Sequence, residues 1–385
     1  MSSNVRKQCS DPTLKLRDLL ARSPDKNLAA LFHDRKASYS FNTRAAIFRG
    51  CQELSLKPGD EILAPDYNCG SELDAVRCAG LDVTFYPINR RTHINLAEVE
   101  ARITPKTRAI YLIHYFGFLQ PQAQALRDIC DRHGLYLIED CALSLLSGKT
   151  PVEGHIGDIS VFCFYKFFPV LGGGALVVNN PDLQQPVDFN SRAPRKSVYK
   201  QRLRIILGML IGIRGLNTLR KLRPRKTSEP APDARRDLPD VPAHYYFDPR
   251  LQNARMDLFA SWPLRSFDVE DVRRNRRENY LTYLELLSNL DGVTPLFPGL
   301  PETACPLNMP VLVKNRDHIA QALVEKGISA TPWWAGYNRH LGWNAANQDA
   351  LFLKDHVLAL PSHQYLGRAE IEYIVSALKA LAIST

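Results

Sequence analysis

The sequence predicts an α/β protein: a large domain built on a mostly parallel sheet, followed by a smaller C-terminal α+β domain. Three observations carry that expectation. Short apolar runs alternate with helical patterns from about residue 43 to 180. The runs are nearly continuous (AIYLIH, LYLIE), as in strands covered on both faces. A basic and then polar, proline-containing stretch at 196–245 separates this region from a further set of elements. At 385 residues the chain exceeds what a single core normally holds. The expected division is therefore a large domain over 1–245, including the 196–245 insertion, and a linking helix with a small domain over 246–385.

Taken in order, the candidate strands are Glu61–Pro65, Asp82–Ile88, Arg108–His114, Leu135–Glu139, Asp158–Phe164 and Gly174–Asn179. Between several of them, Thr43–Glu53, Ser71–Ala79 and Pro121–His133 repeat apolar residues at three- and four-residue spacing, which predicts helices. Arg255–Leu290 carries one long helical pattern. Beyond it come the apolar runs MPVLV and HVLAL and a helical C-terminus, AEIEYIVSALKALA.

A content of 45% hydrophobic and 23% charged residues is that of a water-soluble globular chain, and no run reaches the roughly 18 apolar residues of a membrane span. The N-terminal MSSNVRKQCSDP lacks a signal-peptide core, so residence in the cytoplasm is expected. Eight scattered cysteines form neither a CxxC pair nor a zinc-spaced cluster; they read as reduced thiols, with no metal. The net charge of +9 comes from one place, because Lys196–Lys226 holds ten basic residues and no acid. Without base-stacking aromatics or a nucleic-acid motif elsewhere, nucleic acid is not an expected partner. The apolar centre of that insertion, Ile205–Ile213, is too short to span a bilayer. With arginines on both sides, residues 196–226 suit peripheral contact with an anionic membrane surface, dimer packing and a polyanion-binding surface being the alternatives.

Lys166 is the only fully charged side chain from Ile159 to Asn179. An ammonium in such a run is either paired or used as a nucleophilic amine. Asp140 closes the apolar LYLIED, and strand alternation turns it to the face opposite Glu139. Either it caps the next turn, or, 26 residues before the lysine, it serves as the carboxylate that keeps the ring nitrogen of a pyridoxal cofactor protonated. Asn42 and Thr43 are good cap residues, and with Arg44 they open a helix that suits a phosphate. Tyr67, His114, Asp140 and Lys166 all fall at or past predicted strand ends, the edge where ligands bind in open α/β sheets. His114 and His363 read as structural or substrate-facing, and Trp333, Trp334 and Tyr337 as packing or a substrate wall.

In order along about 43–375, PGDEILAPDYN, ITPKTRAIYLIHYFG, HGLYLIEDCALS, GDISVFCFYKFFPVLGGGALVV, QNARMD and VLALPSHQYL resemble the DegT/StrS family of pyridoxal-phosphate aminotransferases of fold type I. The resemblance implies pyridoxal 5'-phosphate as cofactor, Lys166 as its Schiff-base lysine and Asp140 as the partner of its ring nitrogen. It implies that Asn42, Thr43 and Arg44 form the phosphate-binding helix start. Asn253 would reach the phosphate of a neighbouring subunit, so a homodimer with shared sites is expected. The implied reaction moves an amino group from an amino acid, by analogy glutamate, to a nucleotide- or lipid-linked keto sugar in polysaccharide or secondary-metabolite biosynthesis. Dehydration or elimination on the same scaffold, or a non-catalytic membrane-attached scaffold, are the alternatives. The chain departs from the family at Cys163, where a phosphate-holding serine is usual, and at Leu143. Cys69 stands at the ring-stacking position, with Tyr67 the expected substitute surface. Lys166 also comes two residues early.

Overall fold

The computed structural model describes residues 26–149, 153–183, 187–199, 238–343 and 347–382, together with Cys9, Pro12, Leu14, Asp18, Arg202, Leu203, Ile206 and Leu207. The chain opens with α1 (Leu28–Leu31), β1 (Ala37–Ser40), α2 (Thr43–Glu53), β2 (Glu61–Pro65), α3 (Ser71–Cys78), β3 (Asp82–Tyr86) and α4 (Leu96–Glu100). It continues through β4 (Thr107–Ile113), α5 (Ala123–His133), β5 (Tyr136–Asp140), β6 (Ile159–Cys163) and β7 (Gly174–Val178). The C-terminal elements are α6 (Leu258–Leu264), α7 (Val269–Leu287), β8 (Val293–Pro295), β9 (Asn308–Val313) and α8 (Arg316–Glu325), then β10 (Thr331–Pro332), α9 (Gln348–His356), β11 (Val357–Pro361) and α10 (Arg368–Ala382).

The large sheet has the order β1-β7-β6-β5-β4-β2-β3. Pairs from β3 through β6 are parallel, and β7 joins β6 and β1 antiparallel. Residues of β2, β6 and β7 are buried throughout, which is why these strands carry no polar alternation. All six expected strands form. The edge strand β1 was not legible, because ASYS carries no apolar run and is defined by its pairing with β7. The smaller sheet is antiparallel, in the order β10-β11-β9-β8, with α7, α8 and α9 packed against it and α10 packed on α7 and α8.

The single long helix expected over 255–290 is instead two. Pro263 lies inside α6 and has no N–H to extend it, and Asp268 starts α7 afresh by accepting from the N–H groups of Glu270 and Asp271 at 3.0 and 3.2 Å. Of the basic insertion only 196–199, 202, 203, 206 and 207 are described, so the membrane-surface expectation falls mostly outside the described residues. Among them no helix is long and apolar enough to cross a membrane.

Because β1 and β4–β6 all run the same way, their carboxyl ends lie on one edge. The turn after β6, which carries Lys166, and the start of α2 after β1 are brought to that edge together.

Candidate active site

Asp140, the last residue of β5, is buried, with its two oxygens held separately. The Tyr111 hydroxyl donates to Oδ2 at 2.7 Å and the Ala142 N–H to Oδ1 at 2.8 Å. Burial pushes its carboxyl up, opposed first by the charge of Lys166 and then by these donors. The charge of half-buried Lys166 also acts on Glu72, Cys69 and Cys163, so these groups lie in the field of one ammonium. Glu72 is 7% exposed, and its carboxylate accepts from the Cys69 N–H at 2.8 Å and the Ser71 hydroxyl at 3.4 Å. Burial, then the Asp140 charge, pushes Glu72 up. Burial, then the Glu72 charge, takes the Cys69 thiol up to about 11.

Glu139 points to the other face, as strand alternation requires. It receives N–H groups from Ile156 and Gly157 at 2.9 and 2.8 Å and pairs with His114 Nε2 at 2.9 Å. His114 Nδ1 accepts from the Gln120 N–H at 2.9 Å, so Nε2 is the nitrogen that carries a proton and donates. Burial pushes Glu139 up, but the His114 and backbone bonds outweigh it and leave the carboxyl lowered. With both ring nitrogens engaged, His114 is a bracing residue. Its ligand atoms lie within 4.8 Å of those of Glu139 and Cys141, yet none is spare on the ring. His363 is also buried, accepting from the Tyr365 N–H at 3.3 Å.

At the start of α2, the Asn42 side chain caps the helix by accepting from the Ala45 N–H at 2.9 Å. The Thr43 hydroxyl donates to the Phe162 carbonyl at 3.0 Å, tying the helix to β6 one residue before buried Cys163. The first N–H groups of α2 have no acceptor within the helix, which is the general condition of a helix start. The Arg44 guanidinium donates to the carbonyls of His244, Tyr245 and Tyr246 at 2.9, 2.6 and 3.0 Å. Asn253 lies along α2, accepting from Arg49 at 3.2 Å. β7 passes so close beneath this start that a Cβ on Gly174 would lie 2.8 Å from the Thr43 nitrogen.

Tyr67 does not offer the free aromatic face expected of it. Its ring has no exposure, stacks on Tyr115 at 5.6 Å and meets Trp334 at 5.2 Å, so a ligand finds no surface there. Trp333 likewise packs on Phe116 at 5.1 Å, while both tryptophans remain partly exposed.

Sequence reasoning did not single out Glu72, Arg276 or Lys354. Arg276 is 1% exposed and donates to the Phe167 carbonyl, next to Lys166, at 3.0 Å. Lys354 is fully buried and donates to the Asn68, Trp334 and Gly336 carbonyls at 2.9, 3.2 and 2.9 Å.

A seven-stranded, mostly parallel sheet beside a smaller antiparallel one, with lysine and aspartate at its carboxyl edge, is the arrangement of the fold type I transferases. Residues 22–211, just under half of the chain, match the model of the DegT/DnrJ/EryC1/StrS aminotransferase family. It is 33% identical over 147 residues to the GDP-perosamine synthase of Vibrio cholerae, covering 37% of this chain and 39% of that relative. The chain thus aligns with well under half of that relative's length. It is 28% identical over 298 residues to the dTDP-4-dehydro-2,3,6-trideoxy-D-glucose 4-aminotransferase of Saccharopolyspora spinosa, covering 74% and 68%. In structure it matches the aminotransferase TlmJ of Streptoalloteichus hindustanus with a TM-score of 0.68 at 19% identity, over 98% and 99% of the two chains.

Proposed function

We propose that this protein is a pyridoxal-phosphate-dependent aminotransferase that moves an amino group from an amino acid, glutamate by analogy, to a nucleotide- or lipid-linked keto sugar. The observation that carries the reading is the meeting of Lys166, Asp140 and the start of α2 at one sheet edge. The sugar class is supported by the names of the two curated relatives.

The residues present fit the cofactor. Each Asp140 oxygen holds one donor and retains room for another, and a buried carboxylate pushed up by burial gains from a cationic ring N–H. The α2 start offers backbone N–H groups to a phosphate, with Gly174 leaving it unobstructed and Cys163 lining it. When bound, pyridoxal phosphate supplies the electron sink for cleavage at the amino-bearing carbon. Lys166 Nζ would hold the cofactor covalently and, once released, carry the proton to and from that carbon. Asn42 acts through its cap and Arg44 by its charge at the same helix end. Tyr67, packed between Tyr115 and Trp334, anchors the loop that carries Cys69.

A cytoplasmic homodimer belongs to the same proposal, with Asn253 of one subunit reaching toward the other's phosphate. Tyr39, Tyr165, Leu258 and Trp262, between 38% and 76% exposed, supply apolar surface that a second copy would cover.

The test is the visible spectrum of the purified protein supplied with pyridoxal phosphate. A band at about 410–430 nm that moves to about 330 nm with glutamate, and is missing in Lys166→Ala, is the expected result. A band that glutamate leaves in place points to elimination or dehydration chemistry. No band in the wild type removes the enzyme reading.

A further inference from the structure

The loop 66–70 leaves β2 and carries Cys69, then Glu72, toward Lys166. Side chains hold its backbone carbonyls almost one by one. The Asp66 carbonyl accepts from Trp343 Nε1 at 2.7 Å, that of Tyr67 from the Tyr115 hydroxyl at 2.7 Å, that of Asn68 from Lys354 Nζ at 2.9 Å and that of Gly70 from Asn338 Nδ2 at 3.0 Å. Three of these four donors come from the C-terminal segment between β10 and β11. The approach is close-packed, since a Cβ on Gly70 would lie 2.8 Å from that of Asn338.

Lys354 is the centre of this strap. Its remaining donors go to Trp334 and Gly336, so a single ammonium joins the loop of the large sheet to the turn after β10. Among the described residues it makes no ion pair, although burying an unpaired ammonium is costly and an apolar side chain of that length would pack there without the penalty. What the ammonium provides, and an alkyl chain does not, is a fixed geometry for three carbonyls.

We propose that Lys354 is a positioning residue: it clamps the C-terminal strap onto loop 66–70 and thereby sets Cys69 and Glu72 beside Lys166. For the importance of that setting to the cofactor, the inference rests on the function proposed above; the clamp itself does not.

The test measures the maleimide labelling rate of Cys69 by peptide mass spectrometry, in the full-length protein freed of small ligands. Lys354→Met is expected to raise the Cys69 rate about tenfold or more, the consequence of losing a buried hydrogen-bonding centre, with Cys78 unchanged as the internal control. Lys354→Gln keeps two N–H donors and falls between Met and wild type. Equal Cys69 rates in all three proteins would overturn the clamp. If Lys354→Met does not fold, Asn338→Ala replaces it, with the same expected direction and the same overturning result. A second readout is the pyridoxal phosphate dissociation constant by absorbance titration, expected to rise in the same order as the labelling rates. An unchanged constant would confine Lys354 to a structural role. Wild type that binds no pyridoxal phosphate would remove the proposed function, while the Cys69 rates would still decide the clamp.

Discussion

Arg276 is the clearest case of a residue whose role is set by what lies far from it in sequence. Its guanidinium donates to Gln364 Oε1 at 3.1 Å and to the carbonyls of Pro306, Leu307 and Phe167 at 3.2, 2.9 and 3.0 Å, and it lies 4.9 Å from the Phe167 ring centroid. Burial brings its ionisation down to about 10, and no carboxylate pairs with it among the described residues. Arg276→Met would leave buried carbonyls unsatisfied and is expected to cost about 3 kcal/mol, read as a lowered urea midpoint. An unchanged midpoint would mean that water replaces all four bonds. Lys166 and Asp140 were legible because a charge amid apolar neighbours is anomalous on its face. Arg276 was not, because VRRNRREN reads as the solvated side of a helix, and Lys354 in FLKDH and Glu72 in SELD read the same way. Their burial is made by distant segments folding over them, which leaves no local trace.

The strands of the large sheet were legible because a strand covered on both faces must be apolar at every position. Helix ends were legible where a cap or glycine marks them, as Asn42 marks α2 and Gly134, at φ +62°, ends α5. The merging of α6 and α7 into one expected helix shows the limit of reading by period alone, since the apolar spacing continues across a break made by Pro263 and the Asp268 cap. The contact between β7 and α2 is set more tightly than period reveals. A methyl on Gly174 would lie 2.8 Å from the Phe162 oxygen, 2.8 Å from the Thr43 nitrogen and 2.9 Å from its Cα, all backbone atoms that no rotamer change can move. Gly174→Ala is therefore expected to push the α2 start off the sheet at a cost of about 1–3 kcal/mol. Gly299→Ala, whose methyl would meet nothing within 4 Å, is the matched control. Equal thermal midpoints for the two variants would show that the α2 start shifts without cost, and the close-approach argument would fail.

The two sheets are joined where loop 66–70 meets the C-terminal strap, and this junction makes the stability of the whole molecule depend on pH. The Asp66 carboxylate accepts from the Ile88 N–H at 3.0 Å and from Asn347 Nδ2 at 2.7 Å. Burial nevertheless pushes it up from 3.8 to about 6, against those bonds, the Tyr67 N–H and the Lys354 charge. A carboxyl raised in the folded state holds its proton more tightly there than in the unfolded chain. Its contribution is therefore fully present below pH 3.8 and is lost as pH rises through about 6. Lys354, brought down by burial to about 8, stays charged across that window and leaves the change to Asp66. Asp66→Asn removes the titrating group while keeping its size. The difference in thermal midpoint, variant minus wild type, is expected to rise from pH 4.5 to pH 7.5 by several degrees, because only the wild type pays the cost of an ionised carboxylate at the higher pH. Taking the difference cancels the acid sensitivity of every other carboxylate. A difference that stays flat over that range would mean Asp66 ionises as easily in the folded junction as in water, and that water reaches the contact between the sheets.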